Sequence, residues 1–171
     1  MIGRSEIILK WALYSAAALL CLVVQGLALQ HLRVFGVIPF LPPLLVALVA
    51  MWEGPLPGGA VFALGLGVWC DLTVAAPIPC FYTLIFPLCA LLCGKLAKSY
   101  LPAGFACSVP VTVLSFLLTD LFHAVVLSLR GHAAWGAAAS LFLRETLLVL
   151  PLLLVIYPLF RAVYRKCHIY D

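Results

Sequence analysis

The chain is 171 residues long, 66% of them hydrophobic and 9% charged, with a formal net charge of +4. Soluble domains are about half apolar and about a quarter charged, so this composition excludes a water-soluble enzyme or binding module and points to an integral membrane protein. At about 20 residues per crossing, six crossings consume roughly 120 residues and leave no room for a separate catalytic domain.

Apolar segments fall at 11–30, 36–52, 59–76, 80–98, 105–129 and 143–163, each bounded by charge, by Pro/Gly clusters or by both. The expected fold is one polytopic domain over residues 1–171, a compact all-α bundle of six transmembrane helices, with five as the alternative because the second and third segments are short. Arg4 and Lys10 give the first segment the look of a secretory signal, but its length and the segments after it favour a retained helix. Pro39, Pro42 and Pro43 remove backbone donors from the second, which is expected to begin as an irregular stretch packed against its neighbours. With six crossings, Arg4, Lys10, Lys95, Lys98, Arg161, Arg165 and Lys166 share one side of the membrane and only Arg33, Arg130 and Arg144 the other. Basic residues favour the cytoplasm, so both termini are expected there. The net positive charge is an orientation signal. No segment supplies the basic face that a nucleic acid would need.

The third segment carries the most pattern. Gly59, Ala63, Gly67 and Asp71 recur every fourth residue, a stripe of tiny side chains ending in a carboxylate. Lipid does not drive helices together by the hydrophobic effect, and small side chains let two backbones come close enough for dispersion to act. The stripe is therefore read as a helix–helix interface, internal to the fold in preference to external. Asp71, at its outer end, is expected to bond the turn at residues 72–79 or to pair with a cation such as Arg144; a proton or cation site is the sharper alternative. At the inner end the turn Glu53-Gly54-Pro55-Leu56-Pro57-Gly58 stops one helix and starts the next. Glu53 is placed near Lys95 and Lys98.

The fifth segment is the other polar one. Ser108, Thr112, Ser115, Thr119 and His123 share a helical stripe, with Asp120 at its edge one turn before His123. Intramembrane acids and histidines are functional candidates by default, though hydrogen bonding between Asp120, His123 and a neighbouring helix is the plainer expectation. Arg144 and Glu145 are adjacent and do not face each other on a helix, so each pairs elsewhere, Arg144 with Asp71 or Asp120. The seven cysteines lie mostly within apolar segments and do not form a disulfide framework; Cys89 and Cys93 stand one turn apart but read as small apolar filler. No phosphate loop, HExxH or nucleophile–base arrangement occurs, so neither an enzymatic role nor a cofactor is expected. The basic tail, residues 161–171, is expected to lie against anionic headgroups.

Residues 39–94 carry a family resemblance. A Pro-rich lead-in (Pro39, Pro42, Pro43), the run LLVALVAMWEGPLPGGAVFALGLGVWCDL, a Pro-containing outer turn and YTLIFPLCALLCG resemble the rod shape-determining protein MreD family. Gly67-Val68-Trp69-Cys70-Asp71-Leu72 is similar to that family's Gly-Leu-x-x-Asp-Leu, with Val68 in place of the first Leu. The resemblance implies a non-enzymatic subunit of the bacterial cell-elongation complex in the cytoplasmic membrane. Such a subunit binds the single-span scaffold MreC and helps couple the cytoskeletal MreB to peptidoglycan synthesis by RodA and its penicillin-binding partner. It also implies a fold like that of the substrate-binding subunits of energy-coupling-factor vitamin transporters. Membership among those subunits is the rival reading, with Ala12 and Ala16 matching their Ala-xxx-Ala docking face in form only. A small proton-coupled carrier built on Asp71, Asp120 and His123 is the third.

Overall fold

A computed structural model describes residues 4–27, 36–100, 104–131 and 135–167. They form six α-helices and no β-strand: α1 (Arg4–Leu27), α2 (Pro42–Glu53), α3 (Ala60–Thr73), α4 (Phe81–Tyr100), α5 (Phe105–Leu129) and α6 (Trp135–Cys167). The chain is an all-α membrane bundle in which five segments are long and apolar enough to cross a bilayer, the third of them running from Pro55 through α3. His31, Arg33, His132 and His168 lie outside the described residues.

The second apolar segment is the exception. Its helix has 12 residues and begins only at Pro42, with Pro42 and Pro43 in its first turn, where a missing N–H costs nothing. At 1.5 Å per residue it is about 18 Å long, short of the roughly 30 Å hydrocarbon layer. It does not need to match the bilayer, because Pro42 to Met51 are all buried and α3, α4, α5 and α6 pack around it. Residues 38–41 lead in without regular structure, and the Leu41 N–H is satisfied by Gln25 Oε1 at 3.0 Å. A helix apolar on every face is a core helix, and here it is the axis of the bundle.

The sixth helix corrects the expected boundary at residue 143. It starts at Trp135 and runs 33 residues to Cys167, so Arg144 and Glu145 stand inside a helix, and most of the basic tail is its last turns. Ala137, Ala138 and Ala139 are strong helix formers that a hydropathy reading passes over as a small-residue connection.

The closest packing is between α3 and α4, which run antiparallel from the turn at residues 74–80. A Cβ on Gly67 would stand 2.6 Å from the Tyr82 carbonyl oxygen and 2.8 Å from the Thr83 Cα. On the other side of the pair, a Cβ on Gly94 would stand 2.6 Å from the Pro55 nitrogen. Only glycine permits backbones this near, and the two contacts bracket the helix pair from end to end.

Candidate functional site

Four acids have described side chains: Glu53, Asp71, Asp120 and Glu145. Two of them hold the fold together, and two do not.

Glu53 ends α2. Its carboxylate pairs with Lys10 of α1 and accepts a hydrogen bond from the Tyr14 hydroxyl at 2.9 Å, also from α1. This replaces the expected partners Lys95 and Lys98, because α1 packs beside the end of α2 and brings a cation and a phenol to an acid whose side chain is only 8% exposed. A carboxylate at that burial needs such partners. Lys98 instead lies over Gly54, at the spot a Cβ would fill. Gly54 has φ of +81°, which favours glycine in any case. Pro55 to Gly59 then form one wide turn, broken by the extended Leu56, in which Gly58 meets the Trp11 ring and Gly59 packs on the Ala50 backbone.

Asp71 is near the end of α3 and reaches across to the start of α4. Its Oδ1 accepts the Tyr82 N–H at 3.0 Å; its Oδ2 accepts the Thr83 N–H at 2.8 Å and the Thr83 hydroxyl at 2.6 Å. The first N–H groups of a helix have no partner within it, and that end of the helix dipole favours a negative charge. Asp71 thus caps α4 as an N-cap side chain would, but from another helix. These bonds replace the expected ones to the 72–79 turn or to Arg144, because the Gly67 contact sets α4 so close that its first turn is the nearest set of donors. Gly59, Ala63 and Gly67 are buried on the same side, so the whole stripe faces the protein interior.

The polar stripe of α5 is likewise internal over most of its length. Ser108, Thr112, Ser115 and Thr119 are buried. Ser115 donates to the Pro43 carbonyl at 2.8 Å, and Cys89 and Cys93 of α4 are buried against the same face, Cys93 donating to the Val111 carbonyl at 3.4 Å. Beyond Thr119 the packing opens. Asp120 and His123 are only partly buried and are not hydrogen-bonded to each other; His123 stands edge-on to Phe81 with ring centres 5.5 Å apart, and Asp120 Oδ2 is buried without a hydrogen-bond partner. A cleft of about 600 Å³ lies there, reached by Gln25, Phe40, Tyr82, Asp120, His123 and Glu145. Arg144 is exposed beside it.

The sequence alone does not single out Glu145 in this cleft, Gly94 against Pro55, or Lys10 with Tyr14 on Glu53. A lone Gly in an apolar segment is a visible signal of close approach; the others depend on which helices are neighbours.

Fold and site together define a multi-pass, all-α membrane protein whose described residues include two internal latches and a polar cleft. No family model, curated protein or solved structure matches the chain.

Proposed function

We propose that the chain is a non-enzymatic scaffold subunit of the bacterial cell-elongation complex, of the kind its resemblance to MreD implies. It binds an MreC-type single-span protein and helps couple MreB, RodA and the penicillin-binding synthase. The observation that carries the reading is the use to which the motif residues are put. Gly67 and Asp71, which bear the resemblance, bring α4 against α3 and cap it, and Glu53 ties α2 to α1. A scaffold needs helix surfaces fixed relative to one another, so that partner helices in lipid meet a rigid template. Outside these latches α1 and α3 turn large apolar side chains outward, among them Leu19, Leu20, Val23, Val61, Leu64 and Trp69. We assign the end of the bundle that carries Lys10, Lys98, Arg161 and Arg165 to the cytoplasmic side, by the excess of basic residues there.

The test is to tag the C-terminus, extract the protein from native membranes in mild detergent and identify stoichiometric partners by mass spectrometry. Co-purification of a single-span scaffold with a large extracytoplasmic domain supports the proposal. Recovery of paired ABC-type ATPases with a transmembrane coupling subunit would refute it in favour of the vitamin-transporter reading.

A further inference from the structure

The cleft between the lead-in to α2 and helices α1, α4, α5 and α6 is lined by neither of the two latch acids, Glu53 and Asp71. Its two acids arrive at one level by simple geometry. Asp120 precedes the end of α5 by nine residues and Glu145 follows the start of α6 by ten, in two helices that pack together. At 1.5 Å per residue both stand about 14 Å in from the same end of the pair. The cleft of about 600 Å³ around them is walled by Phe40 and Tyr82 and reached by His123 and Gln25. A second cavity of about 290 Å³ continues from Asp120 and His123 to Trp135. Asp120 Oδ2 is buried without a hydrogen-bond partner, and no Lys or Arg lines either cavity among the described residues.

A buried acceptor without a donor is costly, and a cavity of a few hundred Å³ with convergent polar groups and aromatic walls has the form of a small-molecule site. The chemistry of the walls selects the ligand. Among the described residues no three His, Cys, Asp or Glu side chains are grouped to hold a metal ion. An organic ammonium needs less: one or two carboxylates for its charge and an aromatic face for its alkyl groups. We propose that this cleft binds a small ammonium group, seated between Asp120 and Glu145 with its carbon substituents against Phe40, Tyr82 and Trp135. The group belongs either to a soluble amine or to an aminated lipid headgroup. The inference is independent of the scaffold reading, since it concerns a cavity inside the subunit and not its partners.

The experiment uses the full chain purified in dodecylmaltoside, which carries neither charge nor amine. Binding of tetramethylammonium and of ethanolammonium is followed by saturation-transfer NMR, with ethylene glycol as the neutral counterpart of the latter. In parallel, native mass spectrometry compares retention of phosphatidylethanolamine with that of phosphatidylglycerol. Saturable binding of either ammonium, absent for ethylene glycol and at least tenfold weaker in both Asp120→Asn and Glu145→Gln, supports the proposal with a soluble amine as ligand. Selective retention of phosphatidylethanolamine, lost in the same variants, supports it with the headgroup as ligand. If Asp120→Asn elutes as aggregate, Glu145→Gln is read alone. Absence of saturable ammonium binding together with absence of lipid preference overturns the proposal, as does binding that a folded Glu145→Gln leaves unchanged.

Discussion

Two glycines two positions apart on α3 give the sharpest check on how the bundle is held. In Gly67→Ala the new methyl would lie 2.6 Å from the Tyr82 carbonyl oxygen and 2.8 Å from the Thr83 Cα. Ordinary contact begins near 3.4 Å, so α4 must retreat by about 0.8 Å, and both opposing atoms are backbone that cannot rotate away. Overpacking of this kind costs about 1–3 kcal/mol. The retreat also stretches the three Asp71 hydrogen bonds at 2.6–3.0 Å, and weakening one bond to a charged acceptor removes a further ~1.5 kcal/mol. The expected loss is about 3 kcal/mol. In Gly65→Ala the new methyl meets nothing within 4 Å, and alanine is favoured over glycine in a helix by about 1 kcal/mol. Reversible unfolding in mixed dodecylmaltoside–SDS micelles, followed by circular dichroism, measures both. A Gly67→Ala variant within about 1 kcal/mol of Gly65→Ala would refute the close-contact reasoning. The pair of variants also removes a common ambiguity, because any general effect of added bulk on α3 appears in both.

The other latch is tested by the same unfolding assay. Lys10→Met should cost about 3 kcal/mol by leaving a nearly buried Glu53 without its cation, while Lys10→Met/Glu53→Leu should recover most of the loss; strictly additive single effects would show that the two groups do not interact. Thr112 Oγ1 is buried without a partner, so Thr112→Val should be neutral or stabilise by up to about 1 kcal/mol, and a loss above that would mean the hydroxyl is bonded. Gly54→Ala should destabilise by about 1–2 kcal/mol through its positive φ alone, and Lys98→Ala should relieve only the additional contact with the Lys98 side chain; complete rescue would place the strain in the side chain and not the backbone. Asp120→Asn should be neutral or stabilise by up to about 1 kcal/mol, because it removes a charge that no donor satisfies, unlike Asp71→Asn, which weakens a cap and should cost about 1–2 kcal/mol.

What could be read in advance was whatever depends on local sequence. Six apolar helical segments, five of which are long enough to cross a bilayer, and the close-packed face of α3 follow from run length and from a four-residue spacing of small side chains, and neither requires knowing a neighbour. The partners of the polar groups were not legible. Glu53 could be placed near Lys98 by membrane side alone, yet Lys10 holds it, because which of two same-side cations reaches it depends on α1 lying beside the end of α2. Sequence proximity pairs Asp71 with the turn next to it, but the donors nearest in space belong to the helix after that turn. Glu145 does not stand out in the sequence as a companion of Asp120, because hydropathy alone starts the sixth segment at 143, eight residues after α6 begins. With the helix beginning at Trp135, the two acids fall at matching distances from the same end of an antiparallel pair.

The contrast among the four acids carries the functional argument furthest. Each is expensive in a membrane-embedded helix, and a protein that needed only a rigid bundle could dispense with any acid that does not hold helices together. Glu53 and Asp71 meet that condition: one joins α2 to α1, the other caps α4, and their oxygens are occupied by Lys10, Tyr14, Tyr82 and Thr83. Asp120 and Glu145 do not. Their cleft leaves a buried oxygen without a donor and interrupts a face of α5 that is packed from Cys107 through Thr119. Groups that weaken a fold while lining a cavity are the usual mark of a site kept for binding at the expense of stability. The scaffold and the cleft are then separable by mutation: substitutions at Gly67 and Asp71 should disturb assembly and stability together, and substitutions at Asp120 and Glu145 should disturb ligand occupancy while leaving the bundle intact.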